Sequence, residues 1–226
     1  MKKNFKIGVA GLGSVGAATV KLLQEESDLI TLRTGCSIDV SLVSARNKNK
    51  KRDFSYNEIK WVNDPIQIAK DPELDLVVEA IGGESGIAKE LIETALGAKK
   101  HVVTANKALI ACHGLDLAEI AESAGVSLKF EAAVAGGIPI IKALNEGLSS
   151  NRVTSIYGIL NGTCNYILSE MESTKDSFQK VLKKAQKLGY AEPGNPKLDL
   201  NGFDAFAKIK ILSALSFNTK ISKNNC

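Results

Sequence analysis

The sequence predicts an α/β protein: a doubly wound parallel sheet followed by a second, smaller α+β domain. Three observations carry that expectation. Short apolar runs alternate with helical stretches over about the first 130 residues, joined by short connections. The first run leads into "GLGSVG", whose glycines at 11, 13 and 16 mark a tight strand-to-helix turn. Beyond Ile138 the alternation gives way to helices around one further strand.

Residues 5–10 (FKIGVA) read as a buried strand, and 14–26 as a helix with Val15, Val20, Leu22 and Leu23 available to its inner face. A second strand covers 36–44 (CSIDVSLVS) and runs into a basic loop. "DPIQIAK" reads as a short helix with Asp64 as N-cap and Pro65 at its first position. Residues 74–83 (LDLVVEAIGG) form a third strand ending on glycines, followed by a helix over 86–96. "KHVVTANK" is a fourth strand whose end carries Thr104, Asn106 and Lys107, with a helix at 114–124 behind it. "GVSLKFEAAVAGG" supplies the fifth, ending near Glu131. A short helix (139–147), a strand (152–160) and helices at 163–173, 176–188 and 203–217 follow. The implied domains are 1–133 and a substrate-facing 134–226.

Composition narrows the function classes. At 44% hydrophobic and 24% charged, the chain reads as an ordinary soluble globular protein. The net charge of +4 is local: Arg46, Lys48, Lys50, Lys51 and Arg52 sit in one loop, and the rest is close to neutral. That argues against a nucleic-acid surface and for a local anion site. Cys36, Cys112, Cys164 and Cys226 form no C-x-x-C pair, which excludes a metal or disulfide framework and fits a reducing cytoplasm. No run reaches the length of a membrane span, and the glycines after Lys6 break the resemblance of the first residues to a signal peptide. His101 and His113 fit neither a metal pair nor a triad and read as structural.

In an open sheet of this kind, ligands bind beyond the carboxyl ends of the strands. The glycine loop and the strand ends at 81–83, 104–107 and 131–137 all lie on that edge. Gly11 permits the tight turn, Gly13 lets the backbone approach a pyrophosphate, and Gly16 lets helix and strand pack closely. The helix amino terminus then meets the phosphates with free N–H groups. This is a Rossmann-type cofactor loop, with Val15 counted among its contacts and Gly82 and Thr104 completing the set at the strand ends. Where an NAD site places an acidic residue after the second strand, this chain has "VSARNKNKKR". Arg46, helped by Lys48 or Lys50, can pair with the 2′-phosphate of NADP. The competing reading is a solvated charged loop.

"VTANKALIA", "FEAAVAGGIPII", "YGILNGTCNYIL" and "LGYAEP…LDLNGFDAFAK" together resemble homoserine dehydrogenase, from the glycine loop to the end of the chain. The resemblance implies NAD(P)-dependent interconversion of L-homoserine and aspartate 4-semialdehyde, in threonine, methionine and isoleucine biosynthesis, in a cleft between two domains. By similarity, Lys208 is the general acid in reduction and the base in oxidation, and Lys107 lies beside the nicotinamide and the reacting oxygen. The chemistry needs such a group, because hydride addition to an aldehyde develops alkoxide character. Asp204 and Lys208 are four apart on one helical face, so the carboxylate can orient the ammonium; an ordinary exposed ion pair has the same spacing. The resemblance places Gly162, Thr163, Tyr190, Glu192, Asp199 and Asp204 on the amino-acid substrate and Gly189 close to the cofactor. "EAAVAGGI" resembles the family's monovalent-cation loop, with a Glu131 side-chain oxygen and the Val134, Gly136 and Ile138 carbonyls as Na+ ligands; an ion-free glycine hinge is the alternative.

Two departures stand out. The spacing from Glu192 to Asp204 is one residue longer than the family's, and the chain stops soon after the helix carrying Lys208. Family members continue into segments that complete the substrate sheet and build much of a homodimer interface, so the sequence reads as a truncated member. Two rivals remain: a catalytically silent dinucleotide-binding module, and a thioester-forming aldehyde dehydrogenase using Cys164 at a helix start.

Overall fold

The computed structural model describes residues 3–191 and 197–219. The chain divides into two compact units, 1–138 and 139–226, so the division falls after Ile138 rather than after Ala133.

The first unit is built on six parallel strands: β1 (Lys3–Ala10), β2 (Cys36–Ser44), β3 (Lys60–Trp61), β4 (Leu76–Glu79), β5 (His101–Thr104) and β6 (Leu128–Lys129). Their order across the sheet is β3-β2-β1-β4-β5-β6. The chain leaves β1 in one direction and resumes beside it in the other, which places the reversal of strand order at the β1/β4 boundary. Right-handed crossovers on either side of that boundary put helices on opposite faces. The central strands are apolar because both faces are covered: Ile7, Val9, Val43, Val77 and Val102 are all buried. β3 is a short edge strand pairing Lys60 and Trp61 with Leu42 and Val43, and it was not anticipated.

The helices of this unit are α1 (Ser14–Glu25), α2 (Ser27–Thr34), α3 (Ile66–Lys70), α4 (Ile87–Gly97) and α5 (Lys107–Ala124). Val20 of α1 packs on Ile7, Val9 and Val43, whereas Val15 and Leu22 are exposed and do not serve the inner face. α2 buries no residue, so it has no amphipathic period by which the sequence could announce it. In front of α3 the Asp64 carboxylate accepts the Ile66 N–H at 2.9 Å, the expected capping bond. α5 starts seven residues earlier than expected. Asn106 precedes it and accepts the Leu109 N–H at 3.1 Å, so Lys107 opens a helix rather than ending a strand. His101 Nδ1 accepts the Ser127 N–H at 3.1 Å, the structural use expected of it.

The second unit holds α6 (Ile140–Lys142), a wider π-helical turn (Ala143–Gly147), α7 (Gly162–Thr174), α8 (Phe178–Leu188), α9 (Lys197–Leu200) and α10 (Phe203–Phe217). Ile167, Val181, Ala185 and Ala191 form its buried cluster between α7 and α8. The strand expected at 152–160 is not formed: among the described residues of this unit no strand exists for it to pair with, and Tyr157 and Ile159 are 94% and 72% exposed. Among the described residues no helix is long and apolar enough to cross a membrane.

Candidate functional site

In the first unit the carboxyl edge of the sheet carries a cavity of about 480 Å³. Gly11 has φ +94°, and a Cβ there would lie 2.4 Å from the Ala80 carbonyl. A Cβ on Gly16 would fall 1.8 Å from the Gly11 oxygen. These two glycines are therefore demanded by the turn itself. Gly13 is different: a Cβ there would meet nothing within 4 Å, so its bareness serves whatever approaches from outside. No acidic residue occupies the first turn of α1, which leaves the positive end of the helix dipole uncompensated by carboxylate. Gly11, Gly13, Arg46, Lys50 and Arg52 line the cavity, and no Asp or Glu does. Lys48 and Val15 are not in the lining. The donor set and the open approach at Gly13 fit a dinucleotide's phosphates.

Arg52, the last of the basic cluster, has a structural use as well as its place in the lining. Its Nε donates to the Leu12 carbonyl (3.0 Å), and its two terminal nitrogens donate to Lys50 O (2.9 Å) and Asn47 O (2.9 Å). It thus ties the glycine loop to the basic loop. Gln24 holds the same loop by a reciprocal pair of bonds to Ser55, and Lys21 of α1 pairs with Asp53. That last partnership raises the pKa of the partly exposed Lys21 ammonium above its ordinary value.

A buried polar network lies behind the β4 and β5 ends. Glu79 is fully buried; its Oε1 accepts the Ile81 and Gly82 N–H groups at 2.8 and 3.0 Å, and its Oε2 accepts the Thr104 hydroxyl. Thr104 Oγ1 accepts the Asn106 N–H (2.9 Å), and Asn106 Nδ2 donates to Gly83 O (2.7 Å). Thr104 therefore turns its proton inward to Glu79. Gly82 and Gly83, at φ +87° and +91°, form the turn this carboxylate organises. A carboxylate ending an apolar strand must find donors, and that was the overlooked signal.

Further along this unit, Glu131 opens a short 3-10 turn, and Ile138 N donates to Ala135 O at 2.8 Å. Ala135 and Gly137 have φ +51° and +86°, and the turn's own bond uses the Ala135 carbonyl, not those of Val134, Gly136 or Ile138.

In the second unit four polar side chains converge. Lys208 Nζ donates to Asp204 Oδ2 (2.7 Å) and to Leu160 O (2.7 Å), with its side chain 20% exposed. Asn161 Nδ2 donates to Asp199 Oδ1 (2.9 Å) and Asp204 Oδ2 (3.0 Å), while Asn161 Oδ1 accepts the Cys164 N–H (2.8 Å) and caps α7. Asp204 sits in the first turn of α10, where the helix dipole favours a carboxylate. Thr163 Oγ1 donates to Tyr190 O at 2.6 Å, and the Tyr190 ring stacks on Tyr166 with centroids 4.4 Å apart. Gly162 opens α7, so its N–H and that of Thr163 lie at the positive end of that helix. Gly189 has a local reason to be glycine: it ends α8 at φ +81°, with the Tyr190 N–H returning to Ala185 O (2.9 Å). Cys164 lies against the carboxylates, and burial, then Asp199 and Asp204, push its thiol above its ordinary value. Glu192 lies outside the described residues.

The family model described as the NAD binding domain of homoserine dehydrogenase matches residues 11–131, and the homoserine dehydrogenase model matches 139–226. A homoserine dehydrogenase of Pseudomonas aeruginosa is 47% identical over 215 residues, 95% of this chain and 49% of the relative. The crystal structure of a homoserine dehydrogenase from Thiobacillus denitrificans superimposes with TM-score 0.87 at 44% identity, covering 98% of this chain and 51% of that one. A hyperthermophilic archaeal homoserine dehydrogenase in complex with NADPH matches with TM-score 0.82 at 26% identity, over 96% of this chain and 71% of that one. The chain spans about half the length of the curated relatives it matches.

Proposed function

The chain belongs to the homoserine dehydrogenase family, and from that premise we propose that it interconverts L-homoserine and aspartate 4-semialdehyde with NADP as the hydride carrier. The observation that carries the proposal is the ammonium of Lys208, withdrawn from bulk water and held by Asp204 and the Leu160 carbonyl.

A nicotinamide dinucleotide would supply the hydride acceptor and donor. Gly11, Gly13 and the N-terminus of α1 would hold its pyrophosphate, and Arg46 with Lys50 would meet a 2′-phosphate. An ammonium has three N–H groups. Two of Lys208's are engaged, and this reading assigns the third to the substrate oxygen. In reduction Lys208 gives that oxygen a proton as alkoxide character develops; in oxidation the neutral amine takes the proton back. This reading assigns Asp199 and Asp204 to the substrate ammonium and the Gly162 and Thr163 N–H groups, at the start of α7, to its carboxylate; Glu192, assigned by resemblance, lies outside the described residues. Tyr190, stacked on Tyr166, is assigned to the substrate by resemblance. By resemblance, Lys107, at the start of α5, and Gly189, which ends α8, are assigned to the cofactor. The family pathway is threonine, methionine and isoleucine synthesis, and a homodimer is the expected assembly.

A Na+ ion held by Glu131 and the Val134, Gly136 and Ile138 carbonyls belongs to the same proposal. The support is a hard-oxygen donor set on a turn whose own bond uses a different carbonyl. Unchanged turnover in strictly sodium-free buffer removes the ion from the scheme.

The direct test is oxidation of L-homoserine by this chain with NADP and with NAD, alongside Arg46→Ala. Turnover is expected, with Arg46→Ala weakening NADP about tenfold more than NAD, the low end for a charged hydrogen bond because Arg46 is exposed. Cofactor binding without turnover favours a silent module. Equal losses for both cofactors undo the phosphate assignment.

A further inference from the structure

We propose that Asn161 is a positioning residue that fixes Asp199 and Asp204 in one constellation and thereby sets the Lys208 ammonium; this rests on the proposed reaction for its catalytic consequence.

The geometry points to a clamp beyond a helix cap. Both protons of the Asn161 amide go to carboxylates on different elements, Asp199 on α9 and Asp204 on α10, at 2.9 and 3.0 Å. Its oxygen goes to the Cys164 N–H of α7 at 2.8 Å. The amide orientation follows from chemistry: carboxylates only accept, and a backbone N–H only donates. Three helices thus meet at one side chain. Two carboxylates gathered this closely repel each other, and a shared neutral donor holds them together without adding charge. The Asp204 oxygen that takes the Asn161 proton, Oδ2, also takes the Lys208 proton. The neighbouring Leu160 carbonyl takes a second proton from Lys208, so the backbone leading into Asn161 and its side chain together aim the ammonium. α9 is only four residues long and gains little order from its own turn, so the Asn161 bond to Asp199 is one of the few contacts that hold it, beside the Cys164 Sγ bond to the Asp199 carbonyl and the packing of Leu200.

Cap and clamp are separable by substitution. Asn, Asp and Ser cap helices about equally well, so Asn161→Ser and Asn161→Asp keep an acceptor for the Cys164 N–H. Neither keeps the two donors, and Asn161→Asp adds a third carboxylate. Two readouts apply: hydrogen exchange resolved to residues 197–204, and kcat for homoserine oxidation. In Asn161→Ser, exchange at 197–204 should quicken about tenfold while α8 is unchanged. Its kcat should fall roughly ten- to a hundredfold, part of what a positioned acid–base group contributes, with NADP affinity kept. Asn161→Asp should be at least as impaired. Exchange and kcat of wild type in both variants overturn the proposal and leave Asn161 a cap only. Faster exchange with kcat unchanged also overturns it, because the carboxylates then need no clamp. Should wild type bind NADP but not turn over homoserine while exchange quickens, the clamp stands and the proposed reaction falls.

Discussion

Cys164 shows how one environment decides between two chemistries. It sits at the start of α7, where a helix dipole favours a thiolate. Yet its sulfur donates to the Asp199 carbonyl at 3.3 Å, and burial together with Asp199 and Asp204 raises its pKa. A thiol held protonated is a poor nucleophile, which counts against thioester chemistry. Cys164 should therefore alkylate more slowly than the exposed Cys112 at mildly alkaline pH, with its midpoint above the ordinary thiol value; site-resolved mass spectrometry reads this, and equal rates contradict it. The linked stability has a definite sign. A raised folded pKa favours the protonated form, so the contribution is intact below the ordinary thiol pKa and is lost as pH rises through the raised one. Lys208 and Asp204 were legible in the sequence through the motif they share with a family; their one-turn spacing alone fits an ordinary exposed ion pair equally well. It did not reveal Asn161 or Glu79, whose partners lie 38 to 43 and 25 positions away along the chain. Such bonds exist only after folding.

At the scale of elements, the β1–α1 turn separates glycines needed by the fold from the one needed by a ligand. Gly16→Ala drives a Cβ into the Gly11 carbonyl and should cost about 1–3 kcal/mol, the usual range for overpacking, and should disturb the cofactor loop as well. Gly13→Ala enters open space at φ −75°, so its melting temperature should stay near wild type while NADP affinity falls. A shared loss of stability in both variants contradicts this division. The same scale explains which elements were readable. Strands such as β1 and β4 declare themselves by short apolar runs, residues 7–10 and 76–78. α2 does not, since it buries nothing, and the early start of α5 turned on the Asn106 cap, masked by the apolar strand before it. The segment 152–160 has a strand's composition without a strand's partner, and pairing rather than propensity makes a strand.

On the scale of the whole molecule, the labour divides between the two units. In the proposed reaction the first would supply the glycine loop and its basic wall, and the second Lys208 and its carboxylates. Loss of Lys208 should consequently leave cofactor affinity intact, because the residues proposed to hold the cofactor phosphates lie in the first unit. The division also accounts for what the sequence conveyed at this scale: the βαβ alternation marked the first unit by pattern, while the second was legible chiefly through motifs shared with a family. The central claim is direct hydride transfer from the substrate carbinol carbon to a nicotinamide, with Lys208 handling the proton. Supplying homoserine deuterated at that carbon and following the label by mass spectrometry tests it most directly. The deuterium should arrive on the reduced nicotinamide with wild type and fail to arrive with Lys208→Ala at undiminished NADP affinity. Label that washes into solvent, or that reaches the cofactor at the wild-type rate without the Lys208 amine, contradicts it.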